Sequence, residues 1–403
     1  MIAFEPTDDQ KLMQESVASF AKTLRARSRE FERDRAFPDD VRKTAHELGL
    51  GMVAVPEALG GAGLGLTTAA LLEEEVAYGD PSAGFAFGGP GAFGTAVSEL
   101  GNESQGKAWL APFAGADGWS RFGAVAWGER RASAARAGMT TTATHRMGTW
   151  ELTGEKAYVV NADRASNFVV FAQTQESAGW RGLGAFLVKK GTPGLRVLDR
   201  ETTLGLDAVS FGGIKLDGVE VDESDRLAGG DDFNAALVRF FAKHALIVAA
   251  RGVGLARAAF DVTRENCETR RAFGKPIGHF QAVAFTLADR SMDVDAARAL
   301  VWRAAHSWDA KLAENHALLH TSHAIAFALE AAMRCGDDAV QLHGGAGFMR
   351  DYVVEKLMRD AKQLQLCAMT SAHADQLAAS IELGRAIDPG EVLPSAESQS
   401  AFV

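Results

Sequence analysis

Apolar residues recur at helical spacing from the start of the chain. Met13, Val17, Phe20 and Leu24 fall on one face, and Thr7 followed by Gln10 forms a capping-box pattern ahead of them, in which each side chain accepts the other's backbone N–H. Pro38 stands where a first-turn proline is tolerated, Val41, Ala45 and Leu48 make the next stripe, and Gly49 is placed to end that helix. A further helix is predicted around Leu71 to Ala77. The loop before it, Val55-Pro56-Glu57-Ala58-Leu59-Gly60-Gly61, carries a Pro and a Gly pair that stop both regular structures.

From about residue 120 to 225 the texture changes to short strand-like runs: Thr140 to Thr144, Ala157 to Val160, Phe168 to Ala172 and Ala185 to Val188. Turn residues separate them, notably Gly191-Thr192-Pro193-Gly194 and Asp217-Gly218. After Asp231 the pattern is helical again. Leu287, Val294, Val301 and Trp308 recur every seventh residue, and Ala245 to Phe260 is apolar nearly all round, as in a central helix with close neighbours. The expected architecture is α+β: an N-terminal helical domain over 1–115, a middle β-barrel-like domain over 116–228, and a C-terminal four-helix bundle over 229–403.

A chain of 403 residues with 47% hydrophobic and 23% charged residues can bury such a core and stay soluble. The formal net charge of −10 argues against a non-specific hold on nucleic acid or an anionic membrane. The first ten residues hold no apolar core of signal-peptide length, no stretch approaches a membrane span, and a cytoplasmic location is expected. Cys267, Cys335 and Cys367, with no C-x-x-C spacing, suit a reduced compartment and argue against a disulfide framework or a zinc knuckle.

Two segments carry candidate chemistry. Arg270-Arg271-Ala272-Phe273-Gly274-Lys275-Pro276-Ile277, with Gln281 beyond it, offers a guanidinium for a phosphate, an aromatic ring and a carboxamide, a set suited to a nucleotide-like cofactor. On composition alone, a basic loop opening a helix is the favoured reading. Gln341-Leu342-His343-Gly344-Gly345-Ala346-Gly347-Phe348 is a glycine-rich turn whose backbone N–H groups can approach a phosphate, but it follows no strand, so it is neither a Rossmann nor a P-loop fingerprint. Alone, it also fits a simple helix-to-helix turn.

Together with the Val55-Pro56-Glu57 loop and the stretch Val354-Glu355-Lys356-Leu357-Met358-Arg359-Asp360-Ala361-Lys362, these motifs resemble the acyl-CoA dehydrogenase family over nearly the whole chain. The resemblance implies the same three-part fold, FAD as cofactor, an acyl-CoA or acyl-carrier thioester as substrate, no metal, and a homologous subunit in a dimer or tetramer. It implies FAD contacts from Arg270, Phe273, Gln281, Gln341, Gly344, Gly345 and Thr370.

Oxidation of an acyl thioester needs a base for the α-proton, a flavin beside the β-carbon and donors to the thioester carbonyl. Where the family usually places its glutamate this chain has Ala368, which cannot accept a proton. In members that carry the glutamate on the central helix, the matching position is His244, whose imidazole could act as a base or simply pack. Glu265 and Glu268 lie by the FAD-contact motif rather than at the catalytic position the resemblance implies, so the sequence offers no candidate carboxylate for the base.

The ring-side contacts are altered too. Ala126-Trp127-Gly128-Glu129-Arg130-Arg131 replaces the family's hydroxyl-bearing stretch, Tyr158-Val159-Val160 replaces Trp-x-Thr, and Ala372 stands for a glutamine after Thr370-Ser371. In this family one subunit supplies the ring pocket and its neighbour the Arg-x-x-Phe-Gly and Gln-x-x-Gly-Gly contacts. The donated set is intact here and the ring-side set is eroded.

This points to the non-catalytic half of a heteromeric dehydrogenase. The alternatives are a self-sufficient flavin oxidase or monooxygenase with a rebuilt pocket, and a binding protein that has lost flavin. His316, His320 and His323 share a helical face but no carboxylate, as on a solvated polar face. Cys367 reads as an inert core thiol, and Arg251 as a buried charge in need of a partner that the sequence does not identify.

Overall fold

A computed structural model of the chain describes residues 5–130 and 138–387. Helix α1 (Asp8–Asp34) opens with the expected capping box: Gln10 N–H donates to Thr7 Oγ1 at 3.3 Å and Thr7 N–H to Gln10 Oε1 at 2.9 Å. Helix α2 (Asp39–Glu47) starts after Pro38 and is followed by Gly49 at φ 70°. In the loop that follows, a Cβ on Gly61 would lie 2.0 Å from the Val55 carbonyl oxygen, so the Gly pair permits the chain to fold back on itself. Helices α3 (Gly65–Gly79), α4 (Ala83–Ala86), α5 (Gly91–Leu100) and α6 (Glu103–Ala114) complete this part.

The middle of the chain forms strands β1 (Gly123–Ala126), β2 (Thr142–Arg146), β3 (Thr149–Val160), β4 (Asn167–Gln173), β5 (Leu183–Lys189), β6 (Leu195–Val197), β7 (Phe211–Asp222) and β8 (Arg226–Leu227). They make one mixed sheet in the order β6-β7-β3-β2-β4-β5-β8, with β1 parallel to β4. The sheet forms the expected middle β domain and does not close. Its edge strands, β6 and β8, span only three and two residues, too little pairing surface to meet each other.

Alternation along the central strands serves two cores. Val169, Phe171, Ala185 and Leu187 face the helices, while Phe168, Val170, Phe186 and Val188 face a second cluster on the other side. Asp217-Gly218, expected as a turn, lies inside β7. Gly218 takes φ 63°, and the register against β3 slips between Leu152 and Gly154, because pairing on both sides absorbs the irregularity as a bulge.

The C-terminal part holds helix α7 (Phe233–Thr269), a small hairpin of β9 (Arg271–Ala272) and β10 (Lys275–Pro276), and helices α8 (Gln281–Asp309), α9 (Glu314–His343), α10 (Val354–Leu364) and α11 (Ser371–Glu382). Three long helices thus form the bundle, with the shorter α10 and α11 completing it. Helix α7 packs on α3, α8, α9 and α10, which explains its all-round apolar sequence. Val294 and Val301 are buried along α8, and Trp308 Nε1 donates to Thr321 Oγ1 at 2.9 Å.

A buried ionic knot locks the parts together. Lys356 on α10 reaches Asp360 at 2.7 Å and Asp80 at 3.1 Å. Ser28 of α1 donates to Asp80 at 2.6 Å, and Leu206 N–H donates to Asp360 at 2.6 Å. All three charged groups are almost fully inaccessible, and the two carboxylates hold the Lys356 ammonium above its ordinary range despite the opposing effect of burial.

Candidate active site and cofactor surface

A cavity of about 1270 Å³ lies between α3, α5, α7, the sheet and the segment joining α10 to α11. Helix α7 lines it with Phe240, His244, Ile247 and Arg251, which stand at i, i+4, i+7 and i+11 on one face. Ala368, Cys367 and Thr370 line it from the other side, so the structure brings His244 and Ala368 to the same cavity.

The His244 ring stacks on Phe240, with centroids 6.1 Å apart and planes 7° apart, and its nitrogens have no hydrogen-bond partner among the described residues. Its accessible surface opens into the cavity rather than bulk water. Burial, reinforced by the charge of Arg251, pushes its pKa down to about 4, so the imidazole is neutral near pH 7. Cys367 is held as an inert thiol: burial pushes it up to about 12, and Sγ donates to the Gln363 carbonyl at 3.3 Å. The Thr370 hydroxyl caps α11, accepting from His373 N–H at 3.3 Å, and lies 2.7 Å from His373 Nδ1.

The structure supplies Arg251 with its partner. Nε donates to Glu73 Oε2 at 2.7 Å, Nη2 to Glu73 Oε1 and the Gly84 carbonyl at 3.0 Å each, and the guanidinium lies 4.1 Å from the centre of the Phe85 ring. A Cβ on Gly84 would fall 2.4 Å from Glu73 Oε2, so glycine is required for this approach. Sequence reasoning missed Glu73 because it stands in a run of three glutamates on another helix with nothing local to single it out. Four carboxylates among the described residues line the cavity, Glu73, Glu99, Glu129 and Asp309. None is free: Glu99 accepts from Lys243 at 2.6 Å and lies 3.5 Å from Arg239, Glu129 accepts from Lys156 at 2.8 Å, and Asp309 accepts from Leu66 N–H, Thr67 N–H and the Thr67 hydroxyl.

The remaining site residues lie elsewhere. Arg270, Phe273, Gln281, Gln341, Gly344 and Gly345 are all exposed where the C-terminal ends of α7 and α9 meet the start of α8, and none lines the cavity. Arg270 Nη1 donates to the His343 carbonyl at 2.6 Å, which joins the two motifs. Gly344 takes φ 58°, and a Cβ on Gly345 would meet nothing within 4 Å. Phe273 is 96% exposed. Glu265 and Glu268 are exposed on the last turns of α7, away from the cavity. His320 is 2.7 Å from Ser307 Oγ and His323 is 3.3 Å from Arg303, and no cluster of potential metal ligands occurs among the described residues.

The chain matches the acyl-CoA dehydrogenase N-terminal, middle and C-terminal domains over residues 7–117, 124–219 and 233–372. It is 33% identical to an acyl-CoA dehydrogenase of Bacillus subtilis (strain 168), over 89% of this chain and 94% of that one. It belongs to the acyl-CoA dehydrogenase family. The solved butyryl-CoA dehydrogenase of Megasphaera elsdenii superposes with a TM-score of 0.85 at 27% identity, covering 95% of this chain and all of the other. The FAD complex of PigA shares the fold with a TM-score of 0.86 at 23% identity, covering 95% of this chain and 99% of that one. No helix among the described residues is long and apolar enough to cross a membrane.

As an acyl-CoA dehydrogenase-family chain, the protein can be tested against the two ends of FAD. The exposed end fits: a guanidinium anchored by a backbone carbonyl, beside a glycine pair with open space at Gly345, presents positive charge and a close backbone approach, the chemistry that a pyrophosphate requires. The cavity end fits less well. Trp127 stacks on Trp180, with centroids 6.0 Å apart, and meets Phe171 and Phe241 edge-on, so aromatic surface is plentiful.

Polar groups at this end are largely committed within the protein. Glu129 accepts from Thr140 N–H, Thr141 N–H and Lys156, while Lys156 also donates to the Trp127 carbonyl. Burial opposes the charge of both Lys156 and Glu129. It brings Lys156 down to about 8 despite the carboxylate, whereas the ammonium and hydroxyl donors hold Glu129 down at about 2. Tyr158, at φ 56° on a bulge of β3, lines the cavity with Arg130 about 6.0 Å from its ring centre, and Arg130 pairs with Glu201. Arg131 lies outside the described residues.

Proposed function

We propose that this chain is the non-catalytic half of a heteromeric acyl-thioester α,β-dehydrogenase and completes the FAD site of a homologous partner. The observation that carries the reading is the separation of the two residue sets. The six residues expected at the phosphate end are exposed together at one end of the bundle, outside the lining of the chain's own cavity, which supports their use by a second body.

The cavity itself has Ala368 in place of the base, and the carboxylates that line it are committed within the protein: Glu73, Glu99 and Glu129 to ion pairs, and Asp309 to hydrogen bonds from Leu66 and Thr67. Apolar side chains exposed in the same region and along α8 (Phe273, Phe285, Met292 and Phe348) supply surface for a partner to cover. FAD, when bound, supplies the hydride acceptor. Arg270 and the Gly344-Gly345 backbone would hold its phosphates, and Phe273, Gln281 and Gln341 would border its linker and adenine end.

The test is purification of the chain with and without a candidate partner, reading flavin absorbance and subunit stoichiometry. The expected result is a complex with flavin at half the number of chains and little flavin on the chain alone. A homo-oligomer with one flavin per chain that desaturates an acyl-CoA would sink the reading.

One observation favours a second reading, a self-sufficient flavoprotein with rebuilt chemistry: the cavity remains large and rich in aromatic residues. Full flavin content in the homo-oligomer, with oxygen uptake on an added substrate, would select it.

A further inference from the structure

Helix α7 turns two polar side chains into the cavity whose hydrogen-bonding capacity the protein does not use. His244 has no partner for either ring nitrogen among the described residues. Arg251 commits Nε and Nη2 to Glu73 and Gly84, and its Nη1 forms no hydrogen bond there. The two residues lie seven apart, two turns along the same helix face, with Ile247 between them. Around them the wall is apolar, including Leu72, Val76, Phe85 and Phe240.

We propose that this cavity takes an acyl ligand bearing a neutral oxygen, a hydroxyl or a carbonyl, held between the His244 imidazole and the Nη1 edge of Arg251. A plain hydrocarbon laid across these groups would strip their water without replacing its hydrogen bonds, an unfavourable exchange. An oxygen restores them. The charge pattern selects a neutral group over a carboxylate: Arg251 is balanced by Glu73 and Lys243 by Glu99, leaving no uncompensated cation at this position. The proposal concerns the chain's own cavity and goes beyond the heteromeric reading. Flavin stoichiometry decides that reading, and ligand preference decides this one.

Trp127, Trp180 and Trp308 line the cavity and report on its occupancy. Their fluorescence is titrated with decanoyl-CoA and with its mid-chain and terminal hydroxy derivatives, using the chain as purified, alone or with its partner. At least one hydroxy derivative is expected to bind about tenfold more tightly than decanoyl-CoA, equivalent to about 1.4 kcal/mol. His244→Phe, and separately the paired change Arg251→Met with Glu73→Leu, should abolish that preference while decanoyl-CoA still binds. The pair is changed together because Arg251→Met alone strands Glu73. If the paired variant does not fold, His244→Phe decides. The proposal fails if decanoyl-CoA binds as tightly as every hydroxy derivative, if none of the ligands binds, or if the preference survives the substitutions.

Discussion

Arg270 donates to the backbone carbonyl of His343 at 2.6 Å, fastening the end of α7 to the end of α9. Two motifs about seventy residues apart become one surface through this bond. The guanidinium is thereby aimed, with its remaining N–H groups available beside Gly344.

Arg270→Met removes both the charge and the anchor. Bound flavin in the proposed heteromer is expected to weaken by tenfold or more, with the unfolding midpoint of the isolated chain nearly unchanged because the residue is exposed. Flavin fluorescence on dilution of the complex checks it. Unchanged flavin retention would remove Arg270 from the cofactor surface.

Ala368→Glu places a carboxylate in the cavity at the position where the proposed reading lacks its base. In the isolated chain, no dehydrogenation of an acyl-CoA is expected, because the base alone supplies neither bound flavin nor carbonyl donors. An assay with a dye acceptor and added FAD reads this directly. Turnover would show that the ring-side pocket is complete and would favour the self-sufficient flavoprotein.

Arg251→Met leaves Glu73 as a largely buried carboxylate without its cation. A loss of roughly 3 kcal/mol is expected. Adding Glu73→Leu should return most of it, giving a positive coupling in a double-mutant cycle measured by urea unfolding. Additive losses would mean that the pair contributes no coupled stabilisation.

Lys356→Met strands Asp80 and Asp360 together in the interior. The expected loss is about 3–5 kcal/mol, the range for breaking a buried pair from one side. Since the knot touches α1, α10 and the loop before β7, unfolding should also become less cooperative, seen as non-coincident transitions by fluorescence and circular dichroism. A coincident transition with an unchanged midpoint would contradict this account.

His244 gives stability a defined pH dependence. Its pKa falls from 6.5 to about 4 on folding, so between these values the unfolded chain binds more protons. The stabilisation is fully present above pH 6.5 and is lost as pH falls toward about 4, of the order of 3 kcal/mol. His244→Gln should flatten the stability profile across that window. An identical slope in the variant would show that the ring is not desolvated.

Much of the framework was legible in local pattern. The Thr7–Gln10 capping box, Pro38, Gly49 and the four strand runs depend on residues close in sequence, and they appear where periodicity and turn chemistry place them. Closure of the sheet was not legible, because it depends on the lengths of β6 and β8, which apolar pattern alone does not set. Asp217-Gly218 misled for a related reason: the dipeptide tolerates a turn, but pairing with β3 on both sides made it a bulge.

The sequence alone determined which residue types are present: the Arg270 and Gly344-Gly345 motifs, the alanine at position 368 and the Trp127 and Tyr158 aromatics. Residue type and spacing carry that information without any fold. Only the tertiary structure decided where those groups stand, separating the exposed set at the end of the bundle from the cavity set and bringing Glu73 to Arg251 from another helix. Such long-range pairings follow from packing α3 against α7, where burial makes an unpaired charge too costly to leave, and no local pattern records them.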